Sequence, residues 1–183
     1  MCLYHTAYLE IPDPDIYHGR KNADFGQGFY LTPDLEFARR WAKPMKGSQV
    51  FVNCYELNPE GLRIHEFTRD KDWVDYILSN RAVKPDLYPE ADIILGPIAN
   101  DTIFDTMGLL ANGFVGREAQ EKLFQIGPLY TQLTIKTPAA RRALTWLSSE
   151  LLGEEELAEM AALHRKEEEV YQSQLASAMV EML

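Results

Sequence analysis

Residues 24–32 read Asp24-Phe25-Gly26-Gln27-Gly28-Phe29-Tyr30-Leu31-Thr32, and the reading of the whole chain turns on this run. Two glycines set among three aromatic rings mark a tight turn that feeds a short strand, Phe29-Tyr30-Leu31-Thr32. Glycine lets backbone approach a ligand closely, and aromatic rings offer flat faces for stacking. The run therefore describes a concave site for a flat aromatic ring with a hydroxylated neighbour. Its plainer reading is a core strand behind a tight turn. Gly26-Gln27-Gly28 precedes a strand and not a helix, so it is neither a dinucleotide-binding glycine fingerprint nor a phosphate-binding loop.

Upstream, Pro12, Pro14, Gly19, Gly26 and Gly28 punctuate residues 11–28 as a loop, which carries His18-Gly19-Arg20. Residues 2–9 (CLYHTAYL) read as a strand with His5 in its middle. Downstream, a helix opens at Thr32 or Pro33-Asp34. Phe37, Ala38, Trp41 and Ala42 recur along it at one-turn spacing, and Pro44 stops it. Strands are predicted at 49–57, 62–67, 91–98 and 130–136. Helices are predicted from Asp70 to Arg81, at 103–111 and 117–126, and from Pro138 to Leu147 with Thr137 as N-cap. This interleaving is α+β and lacks the regular alternation of a doubly wound sheet.

The chain divides into a domain over 1–150 and a C-terminal helical extension over 151–183. The extension is crowded with Glu154, Glu155, Glu156, Glu159, Glu167, Glu168 and Glu169, and it carries a patchy apolar stripe through Leu157, Met160, Leu163, Val170 and Leu175. Three fates are open to it: packing on the domain, meeting another chain, or standing in solvent as a tail.

Composition bounds the function. The chain has 183 residues, 46% of them hydrophobic, enough to bury a core. Its 18 basic and 28 acidic residues give a net charge of −10, which argues against bulk nucleic-acid binding and against adhesion to an anionic membrane. The longest apolar runs, such as Ile93-Ile94-Leu95, fall far short of the roughly 20 residues that span a bilayer. The opening MCLYHTAYLE has neither the basic nor the apolar region of a secretory signal. Cys2 and Cys54 are the two cysteines and read as reduced thiols of a cytoplasmic protein. His5, His18, His65 and His164 lack metal-ligand spacing, so no metal site is expected. No GxSxG elbow is present.

Leu3-Tyr4-His5, the run Asp24 to Thr32, Ala38 to Ala42, Trp73, Asn80-Arg81 and Ala91 to Asp101, taken in this order, resemble an uncharacterised bacterial domain family of the ADP-ribosyltransferase-like superfamily, in its His-Tyr-Glu branch. The resemblance spans about residues 3–147 and is most specific over Gly26 to Thr32. It implies a split β-sandwich of two small antiparallel sheets that holds NAD as substrate in a cleft. It further implies transfer of ADP-ribose to a macromolecular acceptor by a bacterial toxin or effector, with an antitoxin or immunity protein as a further partner. A catalytically silent NAD-binding or partner-binding module of the same fold is the alternative.

Carried over, His5 takes the place of the histidine that bonds the nicotinamide-side ribose, and Tyr30 that of the tyrosine that stacks on nicotinamide. The third, acidic place falls on the strand Tyr130 to Lys136, where Gln132 is the polar candidate. The catalytic set is thus His5, Tyr30 and Gln132. The NAD-binding set is His5, Thr6, Arg20, Phe25, Gly28, Phe29 and Tyr30, with Arg20 on the diphosphate. Two departures stand out. Gln132 can bond a ribose hydroxyl but cannot serve as a base, and Glu118 and Glu121 are its possible substitutes. Thr6 occupies a position that is often glycine. Asn100-Asp101 are read as the cleft rim or as a loop cap.

Overall fold

The computed structural model describes residues 1–103 and 116–181. The helix expected over 103–111 lies, but for its first residue, outside them. The strands are β1 (Cys2–Ala7), β2 (Phe29–Leu31), β3 (Phe51–Leu57), β4 (Ile64–Glu66), β5 (Ile93–Pro97), β6 (Thr131–Ile135) and β7 (Leu144–Leu151). The helices are α1 (Leu35–Arg40), α2 (Lys71–Arg81), α3 (Asn100–Ile103), α4 (Arg117–Phe124), α5 (Pro138–Arg142) and α6 (Glu154–Glu181). The chain is α+β, with two small sheets and a long C-terminal helix.

The first sheet has the order β1-β3-β7 and is antiparallel throughout, with His5 opposite Asn53. The second has the order β2-β6-β5-β4. It is mixed, which corrects the expectation of two antiparallel sheets: β4 runs parallel to β5, with Ile64 beside Ile93. The cause is α2, which lies between β4 and β5 in the chain and carries it back to the end where it started. A second correction concerns Leu144–Leu151. The helix capped by Thr137 ends at Arg142, and the next residues pair with β3 as the third strand of the first sheet.

Local chemistry sets the helix starts. Asp34 accepts from the Phe37 N–H at 3.0 Å, Asp70 from the Trp73 N–H at 2.9 Å, and Thr137 from the Ala140 N–H at 3.3 Å. Pro138 follows Thr137 in the first turn of α5. Ahead of α6, the Glu156 side chain reaches back to the Gly153 N–H at 2.9 Å, half of a capping box.

Alternation along the strands builds three cores, the smallest joining Val52 of β3 to Ala38 of α1. Leu3, Tyr55, Leu57 and Leu144 of the first sheet pack on Phe29, Leu31, Ile93, Leu133 and Ile135 of the second. On the other face of the second sheet, Ile94 meets Trp73 and Ile77 of α2, Leu123 and Phe124 of α4, and Tyr171 and Leu175 of α6. The C-terminal helix is therefore packed on the domain. No helix among the described residues is long and apolar enough to cross a membrane.

Candidate functional site

The two sheets touch at an isolated bridge between Tyr4 and Thr32, whose N–H and C=O groups exchange bonds of 2.8 and 2.9 Å. Beside this junction a cleft of about 260 Å³ opens. Tyr4, His5 and Thr6 of β1 line it, with Tyr30, Leu31 and Thr32 at the second strand. Phe37 and Ala38 of α1 and the following Trp41 form a further wall. The loop before β2 adds Arg20, Asn22, Ala23 and Asp24, while Ile98, Thr102 and Gln132 complete the lining.

His5 Nδ1 lies 2.7 Å from the Tyr30 carbonyl oxygen. A carbonyl can only accept, so Nδ1 carries the proton. Burial lowers the imidazole below its ordinary pKa, against the opposing effect of this hydrogen bond. A neutral ring that donates from Nδ1 leaves Nε2 bare, an acceptor suited to a hydroxyl.

Tyr30 uses its phenol locally. The hydroxyl accepts from the Phe25 N–H at 2.9 Å and donates to the Gly26 carbonyl at 2.7 Å. Burial, first, and the nearby Asp24 charge push its ionisation far up. It is therefore no proton carrier, and its half-buried ring packs against the core beside the cleft. The turn it braces depends on Gly26, whose φ of +74° favours glycine.

Gln132 is 7% exposed, and its side-chain nitrogen has no hydrogen-bond partner among the described residues. Burying an amide N–H unpaired costs about 1–3 kcal/mol, a cost that a ligand oxygen in the cleft would remove. The Thr6 hydroxyl donates to the Ala38 carbonyl, so it fastens β1 to α1 and is not free for a ligand. Arg20 is exposed and makes no ion pair among the described residues.

The structure thus brings His5, Thr6, Arg20, Tyr30 and Gln132 to one cleft. Phe25, Gly28 and Phe29, expected at the ligand, are not among the residues that line it. Phe25 is fully buried against Phe67 and Tyr76. Phe29 packs on Tyr55 and on the His5 ring. A Cβ at Gly28 would stand 2.5 Å from Thr134 Cγ2 and 2.6 Å from the Ile135 oxygen, so this glycine lets the loop lie against β6. Neither Glu118 nor Glu121 lines the cleft, and Glu118 pairs with Lys122 at 3.2 Å. Asn100 and Asp101 lie behind the lining: Asn100 bonds the Ile126 and Pro128 carbonyls, and Asp101 pairs with Arg81.

Asp24 is the lining residue whose charge the sequence reading passed over. Its partner Arg81 is 57 positions away, a distance at which one sequence carries no pairing signal. Trp41, read only as a helix-face residue, is 40% exposed at the cleft. Among the described residues no group of three or more His, Cys, Asp or Glu could hold a metal ion.

Comparison with known proteins adds one finding. A family model described as a protein of unknown function (DUF3990) matches residues 1–146. No curated protein matches the chain.

Proposed function

The chain belongs to the DUF3990 family, and from its cleft we propose that it is an NAD-dependent ADP-ribosyltransferase with a split β-sandwich fold. It breaks the bond between nicotinamide and ribose and passes ADP-ribose to a macromolecular acceptor, as a bacterial toxin or effector does. The observation that carries this reading is that His5, Tyr30 and Gln132, far apart in the chain, line one cleft with Arg20.

In this reading the Tyr30 ring stacks on nicotinamide. The bare Nε2 of His5 accepts from a hydroxyl of the adjoining ribose. The orphan amide nitrogen of Gln132 donates to an oxygen of the same sugar, and Arg20 pairs with the diphosphate. Together these contacts hold the dinucleotide in one geometry, so that the barrier is met without further loss of freedom. The reaction builds positive charge on the ribose as neutral nicotinamide leaves, and a site selective for it must favour that charge in the transition state. The volume of about 260 Å³ fits the nicotinamide and ribose end of NAD, with the rest of the molecule lying across the exposed Trp41 and Arg20.

The test is nicotinamide release from NAD in the presence of a bacterial lysate as a source of acceptors. The wild-type chain is expected to release nicotinamide and to carry label from NAD onto a macromolecule. Tyr30→Ala is expected to lower release about a hundredfold, because the ring that orients the leaving group is gone. An amide at Gln132 in place of a carboxylate favours the second reading, a silent binding module, and NAD bound without release would identify it. A chain that neither binds nor consumes NAD would overturn both.

A further inference from the structure

We infer that Asp24 supplies the carboxylate that Gln132 cannot, and that it takes the proton from the acceptor as ADP-ribose is transferred. The inference rests on the reading of the cleft as a transferase site. Asp24 opens the aromatic and glycine run, lines the cleft and is 6% exposed. It stands in a cluster of two carboxylates that share one guanidinium. Arg81 binds Asp101 through two bonds of 2.7 and 2.9 Å. It reaches Asp24 at Oδ1, through Nε at 2.9 Å and a second guanidinium nitrogen at 2.8 Å. The second oxygen of Asp24, Oδ2, receives the Thr102 hydroxyl at 3.2 Å. Arg81 thus engages both oxygens of Asp101, behind the lining, but only one oxygen of Asp24, so Oδ2 of this cleft-lining residue has room for a further donor.

A second, independent feature points to a ligand at the same place. The side-chain nitrogen of Gln132, a residue 7% exposed that belongs to the same lining, is unpartnered among the described residues. The residue that bears this orphan donor and the residue whose Oδ2 has room for a further donor then line one cavity. Burial raises the Asp24 pKa, with the neighbouring Asp101 adding to the effect and Arg81 and Thr102 opposing it. The direction is the one a proton acceptor needs to work nearer neutral pH. Among the described residues, the other charged or titratable groups around it are Arg81 on α2, Asp101 on α3, Tyr30 on β2, His5 on β1, and Arg20 on the same loop.

The step balances as follows. The bond from the ribose C1′ to the pyridinium nitrogen breaks, and its electron pair leaves with neutral nicotinamide. The oxygen of an acceptor hydroxyl or of water bonds to C1′. Its proton passes to Asp24 and then to solvent. The same charge favours the cationic ribose while the bond is broken.

Asp24→Asn keeps the shape and removes the charge. With NAD as probe, kcat for nicotinamide release is expected to fall about a hundredfold while KM and the NAD dissociation constant change by less than roughly threefold. Turnover at the wild-type rate overturns the inference, as does a loss confined to NAD affinity. Thr102→Val gives an independent check should Asp24→Asn fail to fold. It removes a hydroxyl that holds the Asp24 pKa down, so the acid limb of the pH–rate profile is expected to move to higher pH. An unmoved limb overturns the inference. If the wild-type chain does not consume NAD, the proposed function fails and this inference with it. If the wild type consumes NAD and Asp24→Asn does so equally, only the role of Asp24 fails.

Discussion

Tyr30 separates into two parts with different duties. Its hydroxyl ties the Phe25 N–H to the Gly26 carbonyl, so it sets the turn on which the cleft loop rests. Its ring, half-buried against the core, is the part that the proposed function sets against nicotinamide. Tyr30→Phe should therefore divide the two. The loop loses both bonds, and two backbone groups in a partly buried turn are left to find other partners, at a cost of about 1–3 kcal/mol. The ring persists, so nicotinamide release per folded molecule is expected to stay within about tenfold of wild type, since the stacking contact is unchanged in the transition state. A urea titration beside the release assay checks both halves. Wild-type stability in Tyr30→Phe would show that the turn does not depend on the phenol, and lost turnover with full folding would give the hydroxyl a chemical role. The sequence showed the ring and the glycines but not what the hydroxyl bonds, because a side chain closing a five-residue loop and a side chain facing a ligand have the same spacing. Phe25 and Phe29 illustrate the limit. Both stand in the same run as Tyr30, yet both turn into cores, and only strand pairing decides which rings turn inward.

Among the elements, α6 is tied to the cleft although it lies outside the residues matched to the family. Glu167 accepts from Arg40 at the end of α1 and, at 2.8 Å, from the Tyr130 hydroxyl. The Tyr130 ring in turn stacks on Phe37 with centroids 4.2 Å apart, and Phe37 lines the cleft. Burial, then the hydrogen bond and charge of Glu167, push the Tyr130 phenol up to about 12. Glu167→Gln removes the charge and leaves the burial, so the Tyr130 ionisation is expected to fall part of the way toward its ordinary 10.0. An absorbance titration, with Tyr130→Phe to identify the transition, reads the change, and an unmoved transition would mean that Glu167 does not press on Tyr130. The helix itself was legible from its stripe and from Gly153. Its docking was not, since the partners Arg40 and Tyr130 are 127 and 37 positions away. The same reason explains β7. Ala139 to Leu144 is a good helical run and Thr137 is a true cap, but Leu144–Leu151 finds its hydrogen bonds on β3, and tertiary pairing overrides local propensity. The parallel β4 was hidden likewise, for a strand of three residues does not disclose its direction.

For the molecule as a whole, two of its buried carboxylates, Asp92 and Asp24, answer acid in opposite ways. Asp92, 6% exposed, accepts from the Arg63 N–H at 3.0 Å, the Thr137 hydroxyl at 2.7 Å and the Arg63 Nε at 3.2 Å. The Arg63 backbone bond foremost, then Thr137, hold its carboxyl below the ordinary 3.8. At the start of α2, the Trp73 N–H foremost does the same for Asp70. A group depressed in the folded state lends stability that is fully present above its unfolded value and is lost as pH falls through the folded one. Asp24 is raised, chiefly by burial, so its contribution has the reverse sign: it is present below the unfolded value and is lost as pH rises through the folded one. Urea midpoints followed from neutral pH down through 3.8 should therefore separate two variants. Asp92→Asn is expected to be less stable than wild type at neutral pH, with the gap closing once the pH falls below 3.8. For Asp24→Asn, wild type is expected to lose ground to the variant as pH rises from 3.8 toward neutrality, because only wild type must bury a charge there. Parallel curves for the two variants would mean that the cleft carboxylate is held like any other. Opposed curves would mean that the fold gives up stability at neutral pH to keep Asp24 charged in the cleft, the trade expected where a charged group is kept for chemistry.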